Sequence, residues 1–144
     1  MTLKEYLSQA LKLNRAIDST ILRIEEWKSF GLKSRSFLTT GGSNYGKSSG
    51  VERTVMKIAQ AEERLNRDID RYVDLHNEIR DLIMTLKNPD QRAVLERHYL
   101  LGQTWEKVAE DCFVSLRTVH YQHTKALRIM EPYYLEKIRN SAAG

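Results

Sequence analysis

"GQTWEKVAEDCFVSLRTVHYQHTKALRIM", residues 102–130, contains two helix starts separated by one short turn. Thr104 stands as an N-cap before WEKVAED, and Ser115 stands as a second before LRTVHYQHTKALRIM, which runs to Glu131–Pro132. The residues between them, Phe113 and Val114, interrupt the first of these helices. Upstream, Asn88-Pro89-Asp90-Gln91 has the form of another start: Asn as cap, Pro at the first helical position, and Gln three residues after the cap to reach back. The helix it opens, residues 90–101, presents Val94, Leu95, His98 and Leu101 on one side and stops at Gly102. Three helices joined by tight turns make a helix-turn-helix arrangement. Ala109 is small where the middle helix must approach the third, and Val108, Val114, Val119, Ala126, Leu127 and Met130 supply a shared core.

Placing Val119 inward turns Arg117, Tyr121, Thr124 and Arg128 outward, with His120 and Lys125 on the flanks. From Ser115 to Met130 there are three Lys/Arg and no Asp/Glu. A capped helix with an exposed basic and aromatic face suits the major groove of DNA.

Working towards the N-terminus, two longer helices come into view. Leu3, Tyr6, Ala10, Leu13, Ile17, Thr20, Ile24 and Trp27 recur at heptad spacing, with Leu7 and Ile21 widening the stripe. Val51, Ile58, Leu65, Tyr72, Ile79 and Leu86 repeat every seven residues, flanked by Val55, Ala61, Ile69, Leu75, Leu82 and Ile83. The pattern predicts a coiled-coil-like antiparallel hairpin over residues 1–87, with each helix covering the other's stripe. Residues 31–50, with four of the seven glycines in their last ten positions, read as its flexible linker. The helix-turn-helix then occupies residues 88–131, and residues 132–144 form a short C-terminal helix or tail.

Inside that linker, Gly41-x-x-x-x-Gly46-Lys47-Ser48 matches the written pattern of a phosphate-binding loop. Such a loop must follow a β-strand, and KSRSFLTT before it has no buried β run. No later apolar strand ends in an aspartate to hold magnesium. The segment therefore reads as linker, and no nucleotide cofactor is expected.

Composition narrows the function further. Charged residues are 29% and hydrophobic ones 41% of 144 residues, as in a soluble folded protein. No apolar run approaches a membrane span, and the start lacks the unbroken apolar core of a secretory leader. Cys112 is the only cysteine, so no internal disulfide forms and a reducing cytoplasm is expected. The net charge of +4 leans mildly towards polyanionic partners. His120 and His123 lie three apart on one helix, but with Cys112 as the nearest third ligand they make a poor metal site. No catalytic pairing recurs, and the chain is expected not to be an enzyme.

The stretch QRAVLERHYLLGQTWEKVAEDCFVSLRTVHYQHTKAL resembles the fourth conserved region of bacterial sigma factors. Val94, Leu95, Arg97, Tyr99, Gly102, Thr104, Val108, Ala109, Val114, Ser115, Thr118, Val119, Ala126 and Leu127 match its pattern. With a helical extension in front, the whole is similar to small phage and prophage transcription regulators of the ArpU/RinA late-gene activator type. The resemblance implies an all-α fold that reads double-stranded DNA at promoters, with RNA polymerase or a second copy of the chain as a further partner through the hairpin. Arg117, His120 and Tyr121 would meet base edges, while Thr104, Lys107, Lys125 and Arg128 would hold phosphates, and Thr118 and Thr124 complete the DNA-binding set. Two rivals share the architecture: a phage DNA-packaging recognition subunit, and an adaptor that binds polymerase without reading DNA. One departure stands out, because the family has Gly in the turn where this chain has Phe113. Either the turn differs by one residue, or Phe113 recovers by packing the cost of a left-handed backbone, on the order of 1 kcal/mol or more.

Overall fold

The computed structural model describes residues 1–38 and 48–143, with backbone alone for 32–38 and 48–49. It is all-α. Five helices follow in order: α1 (Leu3–Leu38), α2 (Ser48–Ile83), α3 (Pro89–Leu95, continued by a wide π turn over Glu96–Leu100), α4 (Trp105–Asp111) and α5 (Leu116–Ala143).

The start of α1 is fixed by a reciprocal cap. Thr2 Oγ1 accepts from the Glu5 amide at 3.2 Å, and Glu5 Oε2 accepts from the Thr2 amide at 2.8 Å. Ion pairs and hydrogen bonds run α1 antiparallel to α2, with Tyr6 donating to Glu78 at 2.8 Å and Lys28 paired with Glu62 at 3.0 Å. The expected linker is shorter than residues 31–50, because α1 continues to Leu38 and α2 begins at Ser48. GLKSRSFL contains no proline, and lengthening an existing helix costs far less than starting one. Gly41, Gly46 and Lys47 of the phosphate-loop pattern lie outside the described residues. What precedes them is a helix, and no strand occurs among the described residues.

The chain forms two compact units, one of Met1–Lys12 with Tyr72–Gly144 and one of Leu13–Arg71. In the second, Ile17 and Ile24 are buried, and Leu13, Thr20, Trp27, Ile58, Ala61 and Leu65 are half-buried. Ile21, Val55 and Ile69 lie on its exposed edge.

The first unit departs from a division at residue 88. Leu3, Leu7 and Ala10 of α1 and Leu75, Ile79, Leu82, Ile83 and Leu86 at the end of α2 share one core with Val94, Leu95, Tyr99, Val108, Val119, Ala126, Met130 and Tyr134. The helix-turn-helix alone has too little apolar surface to close a core, and the hairpin's ends complete it.

The third helix also runs past its expected stop at Glu131–Pro132, since α5 carries Pro132 inside it and ends at Ala143. A proline there removes one backbone donor. The continuation offsets that loss: Tyr134 is buried, its ring centroid lies 5.3 Å from that of Tyr6, and its hydroxyl donates to the Met1 carbonyl at 3.2 Å. Lys137 adds an ion pair to Glu78 at 3.4 Å. Residues 132–143 are therefore the second half of α5, locked onto the chain's N-terminus.

Candidate nucleic-acid interface

Three capped starts position the site. Asn88 Oδ1 accepts from the Asp90 amide at 2.8 Å, while Gln91 is buried and makes no return bond to the cap, so the expected reciprocal box does not form. Thr104 Oγ1 accepts from the Lys107 amide at 3.2 Å, and Ser115 Oγ accepts from the Thr118 amide at 3.1 Å. The π turn in α3 bonds the Leu101 amide to the Glu96 carbonyl at 3.0 Å. One extra residue per turn shifts the inward face, so that Tyr99 is buried and Leu101 is left exposed. Gly102 then reverses the chain at a φ of 72°.

The turn between α4 and α5 has the bonding pattern of a helix ending on a left-handed residue. The Val114 amide donates to the Ala109 carbonyl at 3.1 Å and the Phe113 amide to Glu110 at 3.3 Å. Phe113 takes the left-handed place with φ 57°. Phe113 is thus the left-handed residue of the turn, and packing does not compensate: it is 94% exposed. Val114 leans outward as well. Left-handed strain of roughly 1–2 kcal/mol exceeds the roughly 0.5–1 kcal/mol of chain entropy that glycine adds to the cost of ordering. Phe113→Gly is therefore expected to stabilise the fold by up to about 1.5 kcal/mol, read as a higher urea unfolding midpoint; a lower midpoint would mean that Phe113 supports the turn.

Two polar clusters hold the scaffold rigid under this turn. Asp111 gathers Arg97 at 3.2 Å, Gln103 Nε2 at 3.2 Å and Lys107 at 3.3 Å, which ties α3, the intervening turn and α4 together. Trp105 lies stacked on His98 at 3.6 Å between ring centroids and tilted against His123 at 4.6 Å. His98 Nδ1 lies 2.8 Å from the Gln103 carbonyl. The Tyr99 hydroxyl is hydrogen-bonded to His123 Nε2 at 2.7 Å. Burial pushes the Tyr99 phenol up, so it keeps its proton, and it lowers His123 from 6.5 to about 4, with Lys4, His98 and His120 adding to that shift. Sequence alone missed Tyr99, Trp105 and Asp111 in these roles. Their signal is weak, because the π turn that turns Tyr99 inward leaves no mark in the spacing.

Of the nine residues expected to touch DNA, six emerge together on the surface of α5: Arg117, His120, Tyr121, Thr124, Lys125 and Arg128 are all exposed. Val119, His123, Ala126 and Met130 face the core from the opposite side. Lys125 Nζ lies 5.6 Å from the centre of the Tyr121 ring. The other three are occupied otherwise. Thr118 is half-buried, with its hydroxyl 2.9 Å from that of Ser115. Thr104 is exposed but uses its hydroxyl as a cap, and Lys107 is drawn back along α4 to Asp111, with Glu110 at 4.0 Å. Thr124 and Arg128 also border an open groove of about 550 Å³, lined by Lys4, His123, Leu127 and Glu131 besides. Among the described residues, no group of three His, Cys, Asp or Glu is placed to hold a metal ion.

Residues 76–130 match the family model for sigma-70, region 4. This segment is similar to the helix-turn-helix of sigma-70 region 4. The match begins within α2, twelve positions before the expected boundary, and agrees with the shared core in placing the end of α2 in the domain. The match suggests DNA-binding transcription regulation. Comparison with curated proteins and with solved structures found no match. No helix among the described residues is long and apolar enough to cross a membrane.

Proposed function

We propose that the protein is a sequence-specific DNA-binding transcription regulator, of phage or prophage type, that lays the outward face of α5 in the major groove and acts at promoters with RNA polymerase. The observation that carries this reading is the exposed set Arg117, His120, Tyr121, Thr124, Lys125 and Arg128 on a capped, rigidly supported helix with no acidic residue before Glu131. Arg117 lies within the first turn of α5, where side chains meet base edges, and its guanidinium suits a bidentate grip on guanine. Lys125 and Arg128 lie two and three turns along, towards the sugar-phosphate backbone. Thr104 contributes as the exposed start of α4, and Lys107 contributes only if it leaves Asp111.

Arg117→Ala is expected to cost about 1–3 kcal/mol and to relax preference at one base pair. Lys125→Ala is expected to weaken all sequences alike and to lower the salt slope by about one. Selection from a random duplex library, followed by titrations at several salt concentrations, separates the two. A library with no enriched sequence, and two silent substitutions, would sink the DNA reading. The exposure of Phe113 at the turn then favours the polymerase adaptor as the second reading, since an aromatic ring left in water beside a recognition helix suits a protein contact.

A further inference from the structure

The family match begins at residue 76, so α1 lies wholly outside it, yet α1 delivers a cation to the edge of the reading helix. Lys4, in the first turn of α1, borders the open groove whose other walls are His123, Thr124, Leu127, Arg128 and Glu131 of α5. Thr124 and Arg128 belong at the same time to the outward face of α5. Among the described residues, neither Lys4 nor Arg128 has a carboxylate within 4.0 Å, in contrast to Lys28, Lys107 and Lys137, each of which is paired. Two cations without a carboxylate partner and a hydroxyl thus line one groove, which Glu131 also borders. The nearness of Lys4 is felt at the floor, where its charge opposes protonation of His123.

Resting on the DNA-binding reading, we infer that Lys4 is a phosphate contact: the duplex backbone crosses α5 at Thr124 and Arg128, and Lys4 closes on it from α1. Charge complementarity selects this occupant, since the oxygens of a phosphodiester accept from an ammonium, a guanidinium and a hydroxyl, the three donors that Lys4, Arg128 and Thr124 bring to the groove. Glu131, one turn beyond Arg128 on α5, repels the phosphate from that side. Because one phosphate is like another, the contact adds affinity and salt dependence without sequence preference.

The test uses the full chain and a duplex enriched by selection, titrated at several salt concentrations. Lys4→Ala is expected to weaken binding several-fold at low salt and to lower the slope of log affinity against log salt by about one. The preferred sequence and the melting temperature of the free protein stay unchanged. Lys4→Arg keeps the charge and is expected to retain affinity, and Lys87→Ala, an exposed lysine away from the groove, is expected to do so too. Glu131→Gln removes the repelling carboxylate and is expected to tighten binding. The inference is overturned if Lys4→Ala leaves affinity and slope intact while Arg117→Ala and Lys125→Ala reduce them; the DNA reading would then stand without it. Equal losses in Lys4→Ala and Lys4→Arg would also overturn it, by showing a packing role. If all three alanine variants are silent, the DNA reading falls and this contact with it.

Discussion

A fragment of residues 88–131, the helix-turn-helix as its caps delimit it, is expected to be unfolded in isolation. Within the full chain its inner faces are covered by Leu3, Leu7 and Ala10 of α1, by Leu75, Ile79, Leu82, Ile83 and Leu86 of α2, and by Tyr134 beyond the cut. Leu7, Ile79 and Ile83 are buried completely. At roughly 1.5–3 kcal/mol for each large apolar side chain removed from water, the lost cover exceeds roughly 10 kcal/mol. Small domains have a net stability of roughly 5–15 kcal/mol, so little or nothing remains. Circular dichroism and amide proton dispersion of the fragment would check this. The ends of α1 and α2 are thus structural parts of the recognition domain, and a cooperative melt of residues 88–131 would show that they are not.

That dependence explains what could be read in the sequence and what could not. Helix starts were legible because caps are local chemistry: Asn88, Thr104 and Ser115 each accept the amide bond that their side chains predict. The outward set on α5 was legible because Val119 fixes the helix phase, and six side chains follow from it. Burial set by partners distant in sequence was not legible. Pro132 reads as a stop from its own chemistry, yet Tyr134, Tyr6 and Met1 meet only in the folded chain and carry the helix through. Val55 and Ile69 flank the α2 stripe at the heptad interval, but a straight helix drifts against a repeat of seven, and both remain exposed at 51% and 37%. Phe113 shows the reverse case, where the family pattern located the strained residue and only the fold showed that nothing covers it.

Acid is expected to loosen the domain through His123. Its ring is buried, shares a hydrogen bond with the Tyr99 hydroxyl and is held neutral down to about pH 4, against 6.5 for a free histidine. Above pH 6.5 neither the folded nor the unfolded chain protonates it, and it adds no pH dependence. Between 6.5 and about 4 the unfolded chain takes up the proton and the folded chain does not, so stability falls as pH falls. The full loss is about 3 kcal/mol, reached near pH 4, below which both states are charged. Carboxylic acids in general titrate towards the lower end of this range, so the measurement is a difference. Urea unfolding of the native chain and of His123→Gln, which keeps an acceptor within reach of Tyr99 but cannot titrate, is followed from pH 7.5 to 4. The stability gap between them is expected to shift by about 3 kcal/mol in favour of the variant as pH falls. A constant gap would mean that His123 is solvated in the folded state, and that the Tyr99–His123 bond does not lock the π turn to α5.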